Sequence, residues 1–276
     1  MNGWKYYKST LIPSSAPHEA VNTDYIFDGS VWKKHPEALF ARWTTDYDCN
    51  YETNWWYVIK DEPFDISELS SNYRYKINKG AKQFEVYKIN PSEYKDELYR
   101  VQVAAYSAYP TKYRPHIDYK SFTDSTEKWN EYTVYGIFSK EDNLLVGYSL
   151  LEINGNCINY SVHKTIPEYE KKQVNAALIY KVLLEYDEFL REGGYICDGA
   201  RNINHETSFH EYLEKYFGFR KAYCRLHIAY NPKIKWVVEL LYPFRKILRK
   251  FDFTGRVHQI NSVLKMQELV QEERKS

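Results

Sequence analysis

Pro167-Glu168-Tyr169-Glu170-Lys171-Lys172-Gln173-Val174-Asn175-Ala176-Ala177-Leu178 is the stretch on which the fold turns. A proline and a charged run lead into a segment where apolar residues recur at Val174, Leu178, Val182 and Phe189, with Ile179, Leu183 and Leu190 beside them. That spacing predicts a helix from about Lys172 to Glu192. Gly193-Gly194 stops it, because glycine takes the left-handed conformation in which helices end.

Outward from this helix the periodicity changes. Upstream, Tyr132 to Phe138, Leu144 to Ile153 and Cys157 to Thr165 read as strands, with turn residues at Glu141-Asp142-Asn143 and Asn154-Gly155-Asn156. They make a three-strand antiparallel meander. Before it come a polar loop from Tyr109 to Asn130, a helix opened by Pro91-Ser92-Glu93 with Tyr94, Leu98, Val101 and Ala105 as its stripe, and a strand from Phe84 to Ile89. Downstream lie a strand from Tyr195 to Gly199, a short helix around Ser208 to Tyr216, a Phe217-Gly218-Phe219 turn and a last strand from Tyr223 to Tyr230. The expected fold class is mixed α/β with a mostly antiparallel sheet flanked by helices.

Two flanking segments complete the expected division into 1–83, 84–231 and 232–276. The first has strand-like stretches at Ala38 to Thr45 and Trp55 to Ile59, then a helix from Ile66 to Ala81 that carries Arg74, Lys76, Lys79 and Lys82, with Gly80 at its end. The last is helical, broken by Pro243 and near Gly255. Between positions 233 and 256 its Lys and Arg residues face only Glu239 and Asp252, and Val237, Leu240, Leu241, Phe244, Ile247, Leu248 and Phe251 share one side. Such an amphipathic helix is expected to pack on its own domain, with peripheral contact to an anionic membrane as the alternative.

Composition sets bounds on function. The 276 residues, 43% hydrophobic and 27% charged, describe a globular chain with a sizeable core, and a net charge of +1 leaves no global field to attract nucleic acid. The 28 Tyr residues suit half-buried strands and wet clefts. Cys49, Cys157, Cys197 and Cys224 lie too far apart for a metal or redox motif, so free thiols and no metal are expected. No apolar run has signal-peptide or membrane-span length, which predicts a cytoplasmic protein, at most peripheral at the inner membrane face.

The order of elements, with Pro167 to Leu178 and Leu213-Glu214-Lys215-Tyr216-Phe217-Gly218-Phe219, resembles the GNAT acyltransferases. These commonly read Pro-Glu-Tyr-Arg-Gly-x-Gly-x-Gly-x-x-Leu and Tyr-Glu-Lys-x-Gly-Phe at the two places. The resemblance implies a loop whose backbone N–H groups meet the coenzyme A pyrophosphate at a helix N-terminus. It makes Lys171, Lys172, Gln173 and Asn175 the cofactor-binding candidates, with acetyl-coenzyme A or another acyl-coenzyme A as donor. Here Glu170 stands in place of the Arg, and Lys171, Gln173 and Asn175 in place of the glycines. Loss of those glycines within a retained fold is similar to the Fem-type (FemABX-like) aminoacyltransferases, whose donor is aminoacyl-tRNA. Asn72-Tyr73-Arg74-Tyr75-Lys76-Ile77-Asn78-Lys79-Gly80 also resembles a Fem pattern, and residues 1–83 would then be a trimmed second lobe.

Acyl transfer needs a deprotonated acceptor, donors for the oxyanion and an acid for the leaving group. The richest polar run is Cys197-Asp198-Gly199-Ala200-Arg201-Asn202-Ile203-Asn204-His205-Glu206-Thr207. In it Asp198 and Arg201 are candidates to hold a polar substrate, and His205 is a candidate base. A helix cap at Asp198 or Thr207 and a carboxylate partner for Arg201 are the structural alternatives. Glu152 and His163 fall late on strands flanking the same cleft, where a sheet-edge role competes, and Tyr212 or Tyr216 stands where the family places its acid. The expected function is direct transfer of an acyl group to an amino group of a polar cell-envelope glycan or peptide precursor. The alternatives are tRNA-dependent aminoacyl transfer and a non-catalytic module docking through 233–256 to a partner or membrane. The transferase expectation requires a sheet that opens between the strand before Lys172 and the one beginning at Tyr195.

Overall fold

The computed structural model describes residues 3–7, 9–109, 114–203, 208–251 and 255–273. Up to Gln83 run strands β1 (Trp4–Tyr7) and β2 (Thr10–Pro13), helices α1 (Asp24–Phe27) and α2 (Ser30–Lys34), strands β3 (Phe40–Thr45) and β4 (Trp55–Lys60), and helix α3 (Ser71–Gln83). Then come β5 (Phe84–Lys88), α4 (Lys95–Ser107), α5 (Tyr119–Thr126), β6 (Thr133–Ser139), β7 (Leu145–Asn154), β8 (Cys157–Thr165), α6 (Val174–Glu185), α7 (Asp187–Arg191), β9 (Tyr195–Ala200), α8 (Ser208–Phe217) and β10 (Arg220–Tyr230). Helices α9 (Pro232–Leu241), α10 (Arg245–Leu248) and α11 (Gly255–Glu273) come last, with 3₁₀ turns at Tyr242–Phe244 and Arg249–Phe251. The chain forms two compact units, Ile59–Gly199 with Ser208–Arg220, and Met1–Val58 with Ala200–Thr207 and Lys221–Ser276.

In the first of these units β5, β6, β7 and β8 pair antiparallel in succession and β9 joins β8 in parallel, so the sheet is mixed and mostly antiparallel. The register sets Tyr135 opposite Ser149 and Gly136 opposite Tyr148, which sends Tyr135 and Tyr148 to opposite faces. The Tyr148 hydroxyl donates to Gln102 of α4 at 2.6 Å. On the other face Lys88 Nζ lies over the Tyr135 ring and pairs with Glu185 of α6 at 2.6 Å. Leu178, Ile179, Val182 and Leu183 of α6 are fully buried. Each contributes about 1.5–3 kcal/mol of hydrophobic stabilisation.

The expected elements are present, with local differences. The helix expected over 66–81 splits into a 3₁₀ turn at Ile66–Glu68 and α3, because Leu69 and Ser70 take extended ψ values of 154° and 153°. Gly80 does not end α3; it lies buried inside it, where α3 crosses α6. The helix expected from Lys172 starts at Val174, since Gln173 is left-handed at φ 69°, and breaks at Tyr186. A helix, α5, occupies part of the stretch expected as polar loop: Asp118 caps it by accepting from Ser121 N–H at 2.8 Å, and Phe122 and Thr126 anchor it.

In the other unit β1 and β2 form an antiparallel hairpin, β2 runs parallel to β3, and β3 pairs antiparallel with β10. Trp4, Leu11, Val31, Trp32, Ala41 and Trp43 form one core, and Trp55, Cys224, Leu226, Leu269 and Val270 a second. β10 begins at Arg220, three residues before the expected start. All four cysteines are free thiols. Among the described residues no helix is long and apolar enough to cross a membrane.

Candidate active site

The sheet of the first unit opens where β8 and β9 part. Their ladder covers Cys157 with Tyr195, Ile158 with Ile196 and Asn159 with Cys197, and stops there, while β8 continues to Thr165 and β9 to Ala200. Local features of both strands account for the fork. On β8, Leu150 pairs with Val162 and Leu151 with Tyr160, so Ser161 is an extra residue in a bulge that re-aims the strand. On β9, Gly199 sits at φ 97°, a conformation that side chains disfavour, and its N–H turns to Cys197 Sγ at 3.3 Å.

Asp198 leaves β9 at the fork, and its Oδ2 meets Nε2 of His210 on α8 at 3.2 Å. The side chains are 10% and 18% exposed. Burial pushes the Asp198 carboxyl above its ordinary range, more than the His210 bond pulls it down. Burial also works to lower the His210 pKa, but the hydrogen bond and charge of Asp198 outweigh it, so the net shift is upward. The pair therefore holds its protons to higher pH than either group alone.

From β8 the fork receives Tyr160 and His163, whose rings lie 5.9 Å apart. His163 is held from the start of α6: Asn175 Oδ1 accepts from His163 Nε2–H at 2.8 Å and from the Thr165 hydroxyl at 3.0 Å. This bond fixes the tautomer, so Nδ1 carries the lone pair. Nδ1 is shut off from solvent and has no partner, and burial lowers the His163 pKa to about 4. The Tyr160 hydroxyl is likewise buried, and its one polar neighbour, the Ser149 hydroxyl, is not in good hydrogen-bond geometry with it. Phe209 closes on His163 at 4.9 Å. A buried acceptor and a buried donor without well-formed partners thus belong to neighbouring rings, each at a cost of about 1–3 kcal/mol. Buried polar atoms left unsatisfied in this way point to a ligand.

The loop before α6 is built differently from a glycine-rich one. Pro167–Lys172 winds as a 3₁₀ turn and Gln173 takes the left-handed position. A Cβ on Gly80 of α3 would lie 2.5 Å from Gln173 O and 3.1 Å from Ala177 N, so α3 rests directly on the loop. Lys79 Nζ donates to the Lys171 carbonyl at 3.1 Å, and Lys172 pairs with Glu141 at 2.7 Å. The side-chain oxygen of Asn175 is engaged by His163 and Thr165.

The other sequence candidates lie as follows. Glu152 Oε2, on β7, accepts from Asn159 Nδ2 at 3.4 Å beside the last paired residues of the fork. Tyr216 is on α8, where its hydroxyl accepts from Lys76 Nζ at 3.1 Å and its ring packs on Tyr73 and Tyr212 at 4.5 and 4.9 Å. Arg201 belongs to the other unit, where its guanidinium donates to Asn54 O at 2.7 Å and lies 4.4 Å over Trp56. His205 and Thr207 fall outside the described residues. Tyr160 and His210 escaped notice in the sequence. Tyr160 was one of 28 tyrosines, and His210 acquires meaning only through Asp198, twelve residues away on another element. Among the described residues no group of three or more His, Cys, Asp or Glu is placed to hold a metal.

No protein-family model matches this chain, and no curated protein matches it in sequence. Solved structures match its shape. FemX is 10% identical, covering 86% of this chain and 85% of its own at a TM-score of 0.53. L-PGS from Bacillus licheniformis is 12% identical, covering 83% and 80% at 0.50. The C-terminal domain of a putative lysylphosphatidylglycerol synthetase from Agrobacterium fabrum is 9% identical, covering 87% and 85% at 0.50. At such identities the likeness shows the fold alone, one shared with FemX and these two structures.

Proposed function

We propose that this chain is an acyltransferase that joins an acyl group to an amino group of a polar acceptor, such as a cell-envelope glycan or peptide precursor, by direct attack at the β8/β9 fork. The observation that carries this is the pairing of two unsatisfied buried atoms, His163 Nδ1 and the Tyr160 hydroxyl. An attacking amine has an N–H to give and needs its lone pair aimed at the carbonyl carbon; Nδ1 is an acceptor that orients it. As the C–N bond forms, the carbonyl electron pair moves to oxygen, and the Tyr160 O–H donates to that oxyanion. Collapse of the intermediate expels the donor's oxygen or sulfur. Tyr216 is the candidate to protonate that leaving atom, because Lys76 donates to the phenol oxygen and the phenol keeps its own proton to give. The attacking nitrogen sheds its proton to the His163 Nδ1 that accepts its N–H, and the proton passes on through solvent while the Tyr216 phenolate regains one, so each turnover balances.

For the donor, the loop favours an aminoacyl ester of tRNA over a coenzyme A thioester. Glu170 brings a carboxylate to the place of the pyrophosphate, and α3 lies against Gln173. The test is a transfer assay of the purified protein with amine acceptors, run in parallel with charged tRNA and with acetyl-coenzyme A. Transfer from charged tRNA alone is expected. Tyr160→Phe and His163→Ala should lower kcat about 10²-fold or more, and Tyr160→Phe should leave folding intact because it removes only a hydroxyl without a well-formed hydrogen bond. Turnover with neither donor, or full activity in both variants, would overturn the proposal.

A further inference from the structure

The helices after Asn231 present two unlike faces. One is fastened to α11: Arg245 Nε and Arg249 Nη2 meet Glu268 at 2.9 and 2.5 Å, Asn261 donates to Leu248 O at 3.3 Å, and Val238 is buried. The opposite face carries Trp236, Leu240, Phe244, Ile247 and Phe251, which are 62%, 60%, 53%, 56% and 54% exposed. Their spacing of four, four, three and four residues keeps them on one line across the 3₁₀ turn at Pro243. The stripe is about 20 Å long at a helical rise. Lone exposed apolar residues need no explanation, but an ordered row of five large ones does.

We propose that this stripe is an interfacial anchor that seats α9 and α10 on an anionic lipid surface. The charge around it is complementary to such a surface. Lys233, Lys235, Lys246 and Lys250 are all exposed beside it, with Glu239 the one acidic residue from 232 to 251. Aliphatic and phenyl side chains enter the acyl boundary, Trp236 sits at headgroup level, and the lysines reach phosphate. A soluble protein partner or a second copy would cover apolar area equally well but gives no reason for the flanking lysines. The anchor needs no turnover, so it stands or falls separately from the acyl-transfer proposal.

The experiment is co-sedimentation of the full chain with phosphatidylcholine vesicles and with vesicles containing 30% phosphatidylglycerol (about that fraction supplies the usual anionic potential). Binding to the anionic vesicles is expected, weakened by salt and about tenfold or more weaker to neutral ones. Lys246→Glu with Lys250→Glu should remove that preference, and Leu240→Asp with Phe244→Asp should abolish binding. These side chains are exposed, so an unchanged Tm is expected and separates lost binding from lost folding. No binding at low salt, binding undiminished in the Asp variant, or a concentration-dependent dimer that the Asp variant dissolves would overturn the proposal.

Discussion

Asp198 and His210 join the end of β9 to the first turns of α8, with Oδ2 and Nε2 3.2 Å apart in the protein interior. Both groups bind their protons more tightly than usual, so folding is favoured where the pair is protonated. For His210, whose folded pKa is raised, the contribution is fully present below its unfolded value near 6.5 and is lost as pH rises through the folded one. The raised Asp198 value acts in the same direction at lower pH. Urea unfolding between pH 5 and 9 should show wild-type stability declining on the alkaline side, with His210→Gln flattening that decline. Asp198→Asn should cost about 1–3 kcal/mol at pH 6, because burial then acts on the His210 ring without the carboxylate that favours its charged form. Parallel profiles for wild type and His210→Gln would show that the pair does not couple to folding.

Gly80 is where α3 lies closest to α6. An added Cβ would meet Gln173 O at 2.5 Å and Ala177 N at 3.1 Å, both backbone atoms that cannot swing away. Gly80→Ala gains about 1 kcal/mol of helix propensity but forces the two helices apart at a cost of about 1–3 kcal/mol. A net loss of stability by urea titration is expected, together with faster amide exchange in the loop before α6. Unchanged or increased stability would mean that the close approach is slack.

The strands and helices around this contact were legible because their periodicities are strong and their turns carry Asn143 and Gly155. Gly80 was misleading: in sequence a glycine near the end of a periodic run looks like a helix stop, whereas here its missing side chain serves a tertiary contact. The fork was legible only as a place. The Asp198 half of its buried pair stood in a visible polar run, but His210 and Tyr160 gain their meaning from burial and from partners distant in sequence. The exposed face after Pro232 could not be separated from the packed one by composition, since Leu240 and Leu241 are adjacent and identical yet only Leu240 projects to solvent.

Gln173 is a non-glycine residue held at φ 69°. Left-handed backbone costs a residue with a Cβ about 1–2 kcal/mol, so Gln173→Gly should stabilise the chain by up to about 1 kcal/mol once the added freedom of the unfolded glycine is deducted. The same variant places a glycine where glycine-rich coenzyme A loops carry one. If acyl-coenzyme A is excluded by α3 and Glu170 rather than by this one side chain, Gln173→Gly still shows no thermal shift with acetyl-coenzyme A. A clear shift would reopen the thioester as the donor.

Asn175 and His163 should impose the opposite pH dependence from the Asp198 pair. His163 has a folded pKa of about 4 because burial disfavours its cation, whereas in the unfolded chain it titrates near 6.5. A depressed value means that its contribution is complete above about pH 6.5 and is lost as pH falls towards 4, by up to roughly 3 kcal/mol. Asn175→Ala removes the acceptor of the Nε2 proton and leaves that N–H as unsatisfied as Nδ1 already is. A cost of about 1–3 kcal/mol is expected at pH 7, and the fixed tautomer is lost with it. Nitrogen chemical shifts of the His163 ring report both effects: wild type should stay neutral with Nε2 protonated down to about pH 4, and Asn175→Ala should show exchange between tautomers. A ring that titrates near 6.5 in the folded wild type would remove the bare acceptor from the fork, and with it the orienting role given to Nδ1.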